Sequence, residues 1–209
     1  MRRTTVLNLH KFRFADVFAG NKILILIIFL FLMGVLISAV FGGDNQMFSD
    51  LGKATYEIYR KQHFDLEFFS VFSNTFVFNL LVMCICFTVG TSMLGVILAP
   101  LLSFLYGGLF GSLASYLCVT YQLKGIAFNA VVLIPGYIIS TVAMLFAARE
   151  AVLFSYSVSS LTFIGSSHND LPIKFKGYCL KFVIMILAAI ISALVDAAFS
   201  GSLIKIFDF

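Results

Sequence analysis

The side chains able to do chemistry in this chain are few, and most of them lie in apolar sequence. Asp196 is the one acid well inside a stretch that reads as a membrane span. A carboxylate in hydrocarbon must be neutralised, paired or hydrated. Asp196 therefore marks either a structural hydrogen-bonding point or a transport or proton site, and its position late in the span predicts a place near the far membrane face. Asn74 and Asn79 occupy an earlier span beside Ser70, Ser73 and Thr75. Amides in lipid are costly unless paired, so both are expected to face neighbouring helices or a wet cavity.

No metal or nucleophile constellation accompanies them. Cys84 and Cys86 are separated by about 200° on a helix and cannot grip one ion from one face. They read as buried free thiols, and Cys118 and Cys179 stand alone near span ends. His10, His63 and His168 fall in three separate loops, with no two in metal-binding spacing. Arg149 and Glu150 are adjacent, about 100° apart on a helix, and read as an interfacial charge pair closing a span. The expectation is a chain with no catalytic residue, no metal site, no cofactor and no nucleic-acid partner.

The elements that must position these groups are membrane helices. The chain has 209 residues, 61% hydrophobic and 11% charged, against roughly 25% charged in an average soluble domain. Phe68 to Leu123 contains no Asp, Glu, Lys or Arg. A helix crosses the roughly 30 Å hydrocarbon layer with about 20 residues, so this run holds two spans. Gly90, Thr91, Ser92, Gly95 and Pro100 locate the break between them. The fold class expected is all-α: a polytopic bundle of about five transmembrane helices, with spans at 23–41, 69–91, 95–117, 125–148 and 178–206. Residues 1–209 then form one membrane domain with short amphipathic interfacial helices.

Between the spans, Met1 to Asn21 is basic and partly amphipathic, the pattern of a surface helix or a frayed tail. Asp44 to Glu67 keeps a helical period through Phe48, Leu51, Thr55, Ile58 and Tyr59. It reads as an external amphipathic helix, either a packed connector or a partner-docking surface presenting Phe48, Leu51, Ile58 and Tyr59, and no chemistry is assigned to it. Residues 149–177 read as a cytoplasmic interfacial segment and basic loop. A cytoplasmic N-terminus puts most of the 14 Lys and Arg inside, as the positive-inside rule requires.

Small residues supply the contact faces. Gly107, Gly111 and Ser115 recur every four residues, as do Ala189, Ala193, Ala197 and Gly201, spacings that let helix backbones approach closely. These faces serve one bundle or join several copies, so oligomeric state stays open. Pro135 and Gly136 predict a kink near the middle of the fourth span. Such kinks serve packing, or build substrate sites in transporters.

Three segments carry a resemblance. FLFLMGVLISAVFGG (29–43), LLSFLYGGLFGSLA (101–114) and ALVDAAFSGSLIK (193–205) resemble the stage II sporulation protein M family over most of the chain. The resemblance implies a non-enzymatic protein of the bacterial inner membrane that recruits peptidoglycan-degrading partners to the septum during spore engulfment. Other relatives accompany ABC transporters or bacteriocin systems, which makes a transporter-associated subunit the alternative. Many relatives carry a histidine and a glutamate after the proline of the fourth span. Here LIPGYIISTVA (133–143) has neither, so roles of those residues do not transfer.

Overall fold

The computed structural model describes residues 22–42, 46–63, 67–164 and 171–203, with side chains described within them except at 161–164, 171–172 and 201–203. The N-terminal basic segment, His10, Asp44 and His168 lie outside the described residues, as do the surroundings of Gly201. The described residues form helices α1 (Lys22–Phe41), α2 (Gln46–His63), α3 (Phe68–Thr91), α4 (Gly95–Phe128), a π-helical turn (Asn129–Leu133), α5 (Ile134–Ile164) and α6 (Leu171–Leu203).

Among the described residues, four helical stretches are long and apolar enough to cross a membrane: Lys22–Phe41, Phe68–Thr91, Gly95–Ser160 and Ile173–Ser200. The third is 66 residues long, far beyond one bilayer crossing, and it folds back on itself. Gln122 breaks α4 with φ 50° and ψ −125°, and a Cβ on Gly125 would lie 1.9 Å from the Leu117 carbonyl oxygen. Beyond this reversal the two arms run antiparallel. Val96 N donates to Ser155 Oγ at 3.1 Å, and Tyr106 and Ser140 hydroxyls meet at 3.1 Å. The break expected between Gly90 and Pro100 falls at Ser92 to Leu94. Ser155 serves that turn from α5 by donating to the Ser92 carbonyl at 2.6 Å.

Small residues are packed in the interior beside larger ones such as Ile27, Leu113 and Phe128, while other large aliphatic side chains cover the outside. Ser103, Ala189, Ala193, Ala197 and Ser200 are fully buried; Leu26, Leu36, Ile97, Leu105 and Ile184 are at least half exposed. This distribution suits lipid, where close backbone contact and interhelical hydrogen bonds hold helices together. The Gly107–Gly111–Ser115 face is used within the chain, against α1. A Cβ at Gly107 would meet the Phe31 carbonyl at 2.3 Å, one at Gly111 the Val35 carbonyl at 2.5 Å, and Ser115 Oγ donates to the Ala39 carbonyl at 3.3 Å. From the other side, a Cβ at Gly34 would lie 2.2 Å from the Phe104 carbonyl.

Several boundaries differ from the sequence reading. α5 continues unbroken to Ile164, so Arg149 and Glu150 stand mid-helix and the residues after them prolong α5 in place of a separate interfacial helix. α6 starts at Leu171, which puts Lys174 and Lys176 on a helix and not in a loop. The uninterrupted apolar and serine-rich sequence of 151–164 packs through Phe154 and Tyr178, whose rings stack 4.5 Å apart. The break expected at Pro135 takes the form of the π turn just before it. A widened turn relieves the clash of the proline ring with the carbonyl four residues back and accommodates its missing N–H. Cys86 is buried, but Cys84 is exposed on α3, contrary to the reading of both as buried thiols.

Candidate functional site

At the end of the bundle where α1 terminates, α2 lies against α4. Gly52 allows this approach: a Cβ there would sit 2.8 Å from the Ser112 carbonyl. Tyr56 packs on Tyr116 with ring centroids 5.3 Å apart. The last turn of α2 then carries His63 into the bundle, where only 4% of its side chain is exposed.

His63 Nε2 lies 2.8 Å from Asp196 Oδ2 of α6. Thr75 of α3 donates to the same oxygen at 2.7 Å and lies 3.3 Å from Nε2. The other imidazole nitrogen, Nδ1, is 3.0 Å from the Tyr59 carbonyl one turn earlier. A carbonyl only accepts, so Nδ1 carries a proton. One further proton then lies between Nε2 and Oδ2, and with either placement the pair has no net charge. The Tyr59 ring stacks on the imidazole at 3.9 Å, and Phe128 meets Tyr59 edge-on at 6.2 Å. Burial pushes the Tyr59 phenol well above its usual range, with the Asp196 carboxylate adding to the shift, so Tyr59 offers a hydroxyl proton.

The kink places its glycine against this cluster. A Cβ on Gly136 would come 2.8 Å from Asp196 Cβ and 3.2 Å from Oδ1. Ser192 donates to the Gly136 carbonyl at 2.9 Å, and Ser200 to the Asp196 carbonyl at 2.6 Å. The π turn and Gly136 thus let α5 approach α6 where the acid stands. A cavity of about 140 Å³ opens here, lined by residues of α2 to α6 that include Tyr59, His63, Asn79, Gly136 and Asp196. Asn74 is half-buried and does not line it.

The cluster ties α2, α3 and α6 together. It is not arranged as a nucleophile relay, which sets a carboxylate on one imidazole nitrogen and a hydroxyl on the other. Here both partners gather at Nε2, and Nδ1 is taken by backbone. Among the described residues no three His, Cys, Asp or Glu side chains come together, so His63 and Asp196 offer only two metal ligands.

The sequence model of a family described as stage II sporulation protein M matches residues 25–201, from the first turn of α1 to the end of α6 and through every residue of this cluster. The chain belongs to the stage II sporulation protein M family. No curated protein and no solved structure matches it. Membership identifies a sporulation-family membrane protein, and its apolar helices make it a multi-pass one.

This family member differs from its sequence reading at several site residues. His63 is not in a loop, and it gives the amphipathic segment a part in the buried chemistry. Asp196 is 4% exposed and does not sit at a water-accessible face. Tyr59, read as a docking residue, is buried against His63; Phe48 packs half-buried on Phe41 at 6.0 Å, while Leu51 and Ile58 remain exposed. A second acid is also buried in the bundle. Glu150, 6% exposed, accepts from Lys181 Nζ at 2.6 Å and from the Arg149 guanidinium. His63 carried one usable signal, being on the apolar side of a helix otherwise rich in charge.

Proposed function

We propose that the protein is a non-enzymatic scaffold of the bacterial inner membrane, and that α2 holds peptidoglycan-degrading partners at the septal membrane during spore engulfment. The observation that carries this reading is the seating of α2. His63, Thr75 and Asp196 fasten its C-terminal turn inside the bundle, while Asp50, Lys53, Glu57, Arg60 and Lys61 face outward along it. A helix already ordered before its partner arrives avoids much of the entropic cost of binding. The positive-inside rule puts that face on the outer side of the membrane, where cell wall lies. The role requires no cofactor.

Photo-crosslinking from Lys53 and Arg60 in sporulating cells tests the proposal. Cell-wall hydrolases should be captured, and capture should disappear when the five outward charges of α2 are replaced by serine. Capture of an ATPase and a permease in their place overturns it.

One observation favours a second reading, a membrane subunit associated with an ABC transporter. Asn79, Asp196 and the kink at Gly136 converge on a single cavity, as a substrate path through broken helices would need. The same crosslinking separates the two.

A further inference from the structure

Between α5 and α6, on the arms that lead away from Asp196, a groove runs along the bundle. Its apolar part reaches from Ile138 on α5 and Ala188 on α6 to Glu150 and Lys181. Ala143 and Met185 in it are buried, whereas Ile138 and Ile184 are more than half exposed, so the groove has a closed floor and open rims. A polar part, lined by Ser157, Lys174 and Gly177, shares Glu150 and Lys181 with the first. The two therefore run into one another. From Glu150 back to Ile138 is twelve residues, about 18 Å of helix, little over half of the roughly 30 Å hydrocarbon layer.

The charged end of the groove is unbalanced. Glu150 pairs with both Arg149 and Lys181, so that trio keeps one positive charge, and Lys174 adds a second. Among the described residues Glu150 is the only acid lining either part. Lys181 is half exposed and donates to Glu150, which uses one of the three donors of an ammonium group. Lys174 and Lys181 are seven residues apart, two helical turns, so they share one face with their Cα atoms about 10 Å from each other. Gly177 lies between them, and a Cβ placed on it would meet nothing within 4 Å. The two lysines thus flank a gap.

We infer that this groove seats one anionic phospholipid, its phosphate over Gly177 between Lys174 and Lys181 and one acyl chain along the apolar part toward Ile138. The surplus of positive charge selects an anionic headgroup, as basic side chains between membrane helices do at this level. Flexible lysine stems lie along apolar surface and bring their ammonium groups to the phosphate. A free phosphate would leave the apolar part uncovered. Lys174 stands at the start of the apolar stretch Ile173–Ser200, where headgroups meet hydrocarbon, and the apolar part extends from there by about one leaflet. That is the reach of an acyl chain, whereas a partner helix crossing the membrane needs a face along the whole layer. The inference holds whether the protein scaffolds or transports.

The test uses the full chain in nanodiscs of mixed phosphatidylglycerol and phosphatidylcholine, released into a mass spectrometer so that retained lipid is counted. The parent should keep one phosphatidylglycerol in preference to phosphatidylcholine. Lys174→Ala and Lys181→Ala should each weaken its retention about fivefold, the loss expected of one lysine at a headgroup. Lys176→Ala removes the same charge from a residue that lines neither part of the groove, and retention should not change. Gly177→Leu fills the gap at constant charge and should abolish the preference. Thermal unfolding checks that each variant folds; if Lys181→Ala does not, Lys174→Ala and Gly177→Leu decide. Equal retention of the two lipids by the parent overturns the inference. An equal loss in Lys176→Ala shows diffuse surface charge and overturns it, as does an unchanged preference in Gly177→Leu. Displacement of the lipid by inorganic phosphate, or a polypeptide retained in its place, also overturns it.

Discussion

Two buried carboxylates stand in the same bundle and are satisfied in opposite ways. Glu150 receives two bases, from its neighbour Arg149 and from Lys181 on α6, and the Lys181 side chain is 52% exposed. Asp196 receives a histidine and a threonine, both from other helices, and its second oxygen is buried without a partner among the described residues. The first is an ion pair at the edge of the bundle, with the Lys181 side chain half exposed. The second is a closed knot whose removal leaves polar groups buried. Charge alone therefore does not rank the two acids; the burial of their partners does.

Asp196→Ala should break the contrast most severely. It leaves His63 and Thr75 buried without their acceptor, at a cost on the order of 3–5 kcal/mol. Thermal unfolding in detergent measures the loss, and proteolysis should cut α2 first. Asp196→Asn, which keeps an acceptor oxygen, should fold and lose less, roughly 1–3 kcal/mol; failure to assemble would show that the charge itself is needed. Gly136→Ala attacks the same knot from α5, where its new methyl would lie 2.8 Å from Asp196 Cβ. The expected cost is about 1–3 kcal/mol of overpacking, and the same substitution at Gly177, which has nothing within 4 Å, should cost far less.

Lys181→Ala should have little effect, at most about 1 kcal/mol, since exposed partners of ion pairs contribute weakly. A loss as large as that of Asp196→Ala would overturn the distinction between the two acids. The smallest effect concerns α2 itself. Burial raises the phenols of Tyr56 and Tyr59 above their ordinary value. The folded protein thus retains protons that the unfolded chain releases above about pH 10. Stability should be fully present below that pH and decline as pH rises past it, and Tyr59→Phe should flatten the decline.

Much of the architecture was legible in the residues. The uncharged run from Phe68 to Leu123 required a break, and Gly90 to Pro100 located it, because a bilayer limits the length of a crossing and few residues favour a turn within it. The Gly107–Gly111–Ser115 spacing announced a close helix contact, and α1 is what fills it. Arg149 and Glu150 look like a helix end in one dimension, yet α5 runs through them to Ile164. Once Lys181 is opposite Glu150, the pair is tolerable inside a continuous helix.

The functional cluster was legible only in part. Asp196 and Asn79 stand out because polar groups in apolar sequence are conspicuous, and Gly136 because it follows a proline. His63 stands out only by its place on the apolar side of the helix, since a histidine at the end of a charged amphipathic segment otherwise looks like solvated surface. Its partner is 133 residues away, and neither residue carries any periodic mark of the other.

The sequence by itself determined that this chain is a membrane bundle and which helix faces are small enough to touch. Apolar length and residue spacing are local properties, and the bilayer acts on them directly. Tertiary structure alone decided which acid has buried partners and which an exposed one, that α2 is fastened by a histidine, and that polar residues from three helices line one cavity. Those outcomes depend on distances between side chains far apart in the chain, which packing sets and no local pattern records.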